Sequence, residues 1–125
     1  MRALALSLLL CVPASIAGAD TTLMTGLLAP SGIGAITQCL VVNYGTKPVQ
    51  LVSSSFLTTS GPLAPDTNSC ENGPIAPGES CAFAVVTGSY LGGRITVKGS
   101  TKKVRARCIV LPASGPGLLD AAEMR

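Results

Sequence analysis

Arg94, Lys98, Lys102, Lys103, Arg105 and Arg107 fall within one short stretch that contains no acid. Cations held close together repel one another, and an anionic partner relieves that repulsion, so such a stretch can act as an anion-binding face. The same charges also have a plain structural use, because cations on an edge strand discourage sheet-to-sheet aggregation. Nucleic acid would answer to these electrostatics too. However, the chain has two Tyr, two Phe and no Trp on which bases could stack. The expected partner is therefore an anionic envelope component or an acidic protein surface, and no nucleic acid.

Other chemistry is poorly supplied. The chain has no histidine, the commonest general base and metal ligand. Asp20, Asp66, Glu71, Glu79, Asp120 and Glu123 all fall in expected loops or ends, and no two have the placement of a catalytic carboxylate pair. Asp66 and Glu71, with Asn68 and Asn72, could be taken for calcium ligands, but Asp and Asn are also the residues that form turns. Sugar binding would need aromatic platforms. Phe83 alternates with Cys81 and Val85 and belongs to the core, which leaves Tyr44 and Tyr90 at turns, with Phe56 the remaining aromatic. No catalytic residue, metal or cofactor is expected.

The cysteines indicate a compartment. Met1 and Arg2 give a positive start, residues 3–12 are apolar, Pro13 breaks the run, and Ala17-Gly18-Ala19 supplies small residues for cleavage before Asp20. This is the layout of a secretory signal peptide, and its apolar run is too short to span a bilayer. Lipidation of Cys11 would want a small residue before it, where Leu10 stands. Removal of the leader leaves Cys39, Cys70, Cys81 and Cys108, an even set in an oxidising compartment. Zinc sites favour close C-x-x-C pairs, which are missing. The expected protein is secreted or periplasmic, has no transmembrane anchor after cleavage, and carries two disulfides.

These residues must be positioned by strands. Helical periodicity is nearly absent, and short apolar runs with two-residue alternation recur between Gly, Pro, Ser and Thr turns. Strands are expected at residues 22–28, 36–43, 49–57, 81–87, 94–98 and 104–111. The long connection 58–80 needs a pin at Cys70 and an added short edge strand. Val104, Ala106, Cys108 and Val110 share one face of the last strand, and Arg105 and Arg107 the other. With the neighbouring strand 94–98 and the turn 99–103 this forms an expected hairpin, with Arg94, Lys98, Arg105 and Arg107 on its solvent face. The domain plan is a signal peptide at 1–19, a β-domain at 20–111 and a flexible tail at 112–125. Six or seven strands with an aliphatic core favour an antiparallel β-sandwich over a small barrel.

Cys70 and Cys81 flank a Pro/Gly-rich turn, which predicts Cys70–Cys81. Cys39, on the face of Val41, and Cys108, on that of Val104, then pair as Cys39–Cys108, bridging the two opposed sheets.

Cys39-Leu40-Val41-Val42-Asn43, Pro48-Val49-Gln50-Leu51, Cys70, Ile75-Ala76-Pro77-Gly78-Glu79-Ser80-Cys81, Val97-Lys98-Gly99-Ser100 and Val104-Arg105-Ala106 form a recognisable pattern. It resembles a loose group of small exported bacterial proteins, mostly of unassigned function. More distantly it is similar to immunoglobulin-like sandwiches with an Asn-x-Gly-x-x-Pro-Val turn and a later Pro-Gly-Glu-Ser turn. The resemblance implies an immunoglobulin-like fold and a bacterial envelope or extracellular home, and implies no activity. In that group a cysteine often begins the strand near Arg94. Here Leu91-Gly92-Gly93 stands there and Cys108 lies in the last strand, which implies a rearranged bridge at Cys39. The functional expectation is a non-enzymatic exported protein that acts by binding or structure, through the basic residues 94–107. The alternative is a protease-inhibitor-like protein presenting the loop 58–80.

Overall fold

Alternation of buried and exposed residues organises the chain into two antiparallel sheets. The computed structural model describes residues 19–29, 34–114, 117–118 and 120–125. The expected signal sequence up to residue 18, with Cys11, lies outside them. Nine strands are present among the described residues: β1 Thr21–Met24, β2 Ile36–Asn43, β3 Leu51–Thr58, β4 Gly61–Leu63, β5 Thr67–Asn68, β6 Ser80–Val86, β7 Leu91–Val97, β8 Val104–Leu111 and β9 Asp120–Glu123. One sheet has the order β1-β7-β3-β4 and the other β5-β6-β2-β8-β9. The expected β-sandwich is therefore the fold, with more strands than the six or seven anticipated. No helix among the described residues is long and apolar enough to cross a membrane.

Inward side chains of both sheets form one core. Val41, Phe83, Val85, Cys39, Cys108 and Val110 of the five-stranded sheet face Phe56, Leu91, Ile95 and Val97 of the other, all buried. Phe56 and Phe83 meet across the sandwich, with ring centroids 5.1 Å apart and planes tilted by 51°, a favourable aromatic arrangement. With so few aromatics, the remaining core is closed by β-branched side chains, leucine, and sulfur.

One strand is placed differently from the sequence expectation, and two corrections follow from it. β7 and β8 are not a hairpin: β7 pairs with β1 and β3, whereas β8 pairs with β2 and β9. The connection 98–103 crosses from one sheet to the other. Both expected bridges are present, Cys39–Cys108 and Cys70–Cys81. Cys39–Cys108, however, joins neighbouring strands of one sheet rather than two sheets. The two cysteines are register partners in β2 and β8, with Cα atoms 4.0 Å apart, a cross-strand spacing far below the ~10 Å between packed sheets. Relative to an immunoglobulin domain, the first and last sandwich strands have exchanged places. β1 lies beside β7, where the final strand would be, and β8 lies beside β2, where the first would be.

Gly93 explains how the bridge is accommodated. A Cβ on Gly93 would overlap Cys39 Sγ, Cys108 Sγ and Met124 Cε, so β7 presses its bare backbone against the disulfide of the facing sheet. Phe56 is the β3 register partner of Gly93 and fills the space beside it. The C-terminal segment is also not a free tail. Asp120–Glu123 pairs with β8 from Arg107 to Val110, Met124 is buried, and Arg125 exchanges two backbone hydrogen bonds of 3.1 Å with Met24.

Candidate functional site

The turn after β2 builds one end of the sandwich. Asn43 is buried, and its side chain satisfies three backbone groups. Nδ2 donates to Lys47 O at 2.8 Å and to Ile75 O at 2.9 Å, while Oδ1 accepts from Gly45 N at 2.8 Å. Asn and Gly are needed at their positions for this reason: a side chain at 45 would press on both Asn43 Oδ1 and Lys103 Cβ. The turn is tied to the crossing segment 98–103, because Tyr44 N donates to Lys103 O at 2.8 Å. On the far side of that segment, Lys98 N donates to Gln50 O at 2.9 Å.

The cations gather around this joint. Lys47, Lys98 and Lys103 border a shallow groove of about 260 Å³ with Asn43, Thr46 and Ser100. Lys103 also borders an adjoining depression of about 420 Å³ with Tyr44, Lys102 and Arg105. Arg105 and Tyr44 then continue onto the outer face of the five-stranded sheet beside Arg107. The result is a continuous basic track from Lys47 to Arg107. Asp20 and Glu79 reach the same end of the sandwich by sequence position, ahead of β1 and β6, and neither borders the two basic grooves.

The structure therefore redraws the expected basic face. Lys98, Lys102, Lys103, Arg105 and Arg107 come together, but not as a hairpin. Arg94 is separated from them: it lies on the other sheet, paired with Met24 and Ser55, and its Nε donates to Ser55 Oγ at 3.3 Å. Arg107 is the register partner of Glu123, so an opposite charge stands across from it. Lys47 was not among the expected residues. It lies far from the 94–107 stretch in sequence, and only the Asn43 turn brings it near.

The remaining sequence candidates have structural roles. Asp66 Oδ2 accepts from Val86 N at 2.9 Å. Asn68 Oδ1 accepts from Cys70 N at 3.1 Å, and its Nδ2 donates to Ser54 Oγ and Glu71 Oε1 at 2.8 and 2.9 Å. No group of three or more potential metal ligands occurs among the described residues. Phe56 is buried, whereas Tyr44 and Tyr90 are exposed. The two tyrosines follow opposite ends of the paired strands β2 and β6, so they do not form one platform. The segment 58–80 is not a freely presented loop. β4 pairs with β3 and β5 with β6, Cys70 is bonded to Cys81, and Val49 and Ile75 exchange hydrogen bonds of 2.9 and 2.7 Å.

Comparison with known proteins finds no matching family model, no matching curated protein and no matching solved structure. The functional reading therefore depends on the geometry.

Proposed function

We propose that this is a non-catalytic binding domain of the bacterial envelope or its surroundings, and that its basic end takes an anionic partner. The observation that carries the reading is the continuous track of Lys47, Lys98, Lys102, Lys103 and Arg105 around Tyr44. The turn after β2, the sheet-crossing segment and the start of β8 converge to make it, held by the buried Asn43. Cations concentrated at one end focus a positive potential there, and exposed amines suit phosphate or carboxylate groups.

Export is part of the proposal. The leader-like start and small-residue cleavage pattern support it, as do two disulfides, which persist in oxidising compartments. β1 begins at Thr21, so cleavage before Asp20 would leave every strand intact. A non-catalytic role is supported by the lack of histidine and by the use of four cysteines in bridges.

The test is binding of the oxidised protein to fluorescent polyphosphate, a soluble polyanion, across a salt series. Replacement of Lys47, Lys98, Lys102, Lys103 and Arg105 together by Ser should weaken binding at least ten-fold and flatten its salt dependence, with the fold retained. Equal binding by the variant, or no binding by wild type above a neutral dextran control, would remove the basis of the reading.

A further inference from the structure

The two outer faces of the sandwich differ in chemistry. On the four-stranded sheet, Thr22 and Thr96 share a hydrogen bond of 3.1 Å, and Ser53, Ser55 and Arg94 continue a mainly polar surface by register, with the exposed Met24 and Val52 set among them. On the five-stranded sheet the outward positions are largely apolar. Leu40 and Val86 are 45% and 56% exposed, and Ile36, Ile109 and Leu111 are partly exposed.

Register arranges this face as a gradient. Val42 pairs with Arg105, then Leu40 with Arg107, then Gln38 with Ile109, and lastly Ile36 with both Leu111 and Val86. Basic charge is thus concentrated toward the Tyr44 end, with Glu123 across from Arg107, and apolar surface toward the opposite end, where the bordering Asp66 carboxylate accepts from Val86 N. The span from Val42 to Ile36 is roughly 20 Å at the usual strand rise. The grooves on this face are shallow, about 250 and 280 Å³, and none encloses a ligand.

We propose that this face rests on an anionic lipid bilayer, with Leu40, Val86 and Ile109 entering the interface and Lys102, Lys103 and Arg105 meeting headgroup phosphates. The inference rests on the anion-binding reading and narrows its partner to a lipid surface. Charge complementarity selects this occupant, since cations border one end of an apolar patch and can meet headgroup phosphates while the patch enters the interface. A second copy fits less well. A face of this extent offers on the order of 400 Å², about half of what each partner buries in a standard interface.

The experiment is co-sedimentation of the oxidised protein with vesicles of phosphatidylglycerol and phosphatidylcholine, beside phosphatidylcholine alone, with polyphosphate binding measured in parallel. Wild type should partition onto the anionic vesicles and not onto the neutral ones. The Leu40→Ser/Val86→Ser variant alters two exposed positions and should keep its melting temperature and its polyphosphate affinity. Its partition onto anionic vesicles should fall about ten-fold. Lys102→Ser/Lys103→Ser should weaken both kinds of binding, by roughly five-fold per cation on vesicles. Polyphosphate binding with vesicle partition unchanged in the Leu40→Ser/Val86→Ser variant would overturn the lipid inference and leave the anion-binding reading standing. Dimerisation abolished by that variant, with no vesicle binding, would also overturn it. Failure of wild type to bind either probe would overturn both.

Discussion

Replacing Gly93 by Ala tests the packing of the two sheets at its tightest point. Gly93 has no positive φ, so its backbone accepts alanine, and the loss of unfolded-state freedom alone would stabilise by about 0.4–1 kcal/mol. The added methyl, however, would overlap both sulfurs of the Cys39–Cys108 bridge and Met124 Cε. Overpacking of a closed core costs about 1–3 kcal/mol, and two of the three obstructing atoms are fixed by a disulfide. The overlap should win, for a net loss of about 1–2 kcal/mol. In a domain of this size that corresponds to a fall in Tm of roughly 5–15 °C. Gly26→Ala is the control, since a Cβ there meets nothing within 4 Å, and its Tm should hold or rise slightly. Thermal unfolding by circular dichroism under oxidising conditions reads both. The cycle is completed with Cys39→Ala/Cys108→Ala, in which the sulfurs are gone and the Gly93→Ala penalty should shrink. A Gly93→Ala protein as stable as wild type would refute the placement of β7 over the bridge.

Loss of the two bridges should be unequal. Chain-entropy arithmetic over separations of 69 and 11 residues gives about 4.4 kcal/mol for Cys39–Cys108 and about 2.8 kcal/mol for Cys70–Cys81, which denaturant titration of the paired Ala variants would resolve. Asn43→Ala strands Gly45 N and the carbonyl of Lys47 and leaves Ile75 O with Val49 N alone; it should cost about 2–3 kcal/mol and lower polyanion affinity by loosening the Lys47 turn. Arg94→Ser should leave polyphosphate affinity unchanged, whereas Lys103→Ser should lower it several-fold, because only Lys103 lines the basic grooves. Deleting residues 120–125 should lower Tm measurably, since β9 covers the edge of β8 and Met124 is buried.

Strand alternation is informative about faces and silent about neighbours, and this divides what the sequence shows from what it does not. β2 and β8 match their expected spans because Thr37, Cys39 and Val41, and Val104, Ala106 and Cys108, alternate without interruption. The same alternation suits β8 equally in either sheet, since its apolar face meets the core both ways. Proximity in sequence favoured a hairpin with β7. The structure places β8 beside β2 instead, with the disulfide across that pair. β7 begins at Leu91, ahead of its expected start: Gly92 and Gly93 have weak strand propensity and read as a turn, whereas in the fold the facing disulfide leaves no room for a Cβ at Gly93. Asp120-Ala121-Ala122-Glu123 has little strand propensity, and its strand exists only because β8 offers an open edge. Lys47 is not legible as a site residue for a similar reason, as its place in the basic track is set by a turn tied to Lys103.

Anion binding is proposed at the basic end of the sandwich. Its most direct test is a backbone ¹H–¹⁵N NMR titration of the oxidised protein with short polyphosphate at low and physiological salt. Saturable shifts are expected, clustered at residues 44–47 and 98–105 and weakening as salt rises, with Arg94 and its β1 and β3 neighbours unmoved. Shifts centred on the segment 71–79 or on the outer face of the four-stranded sheet, or none that saturate, would contradict it.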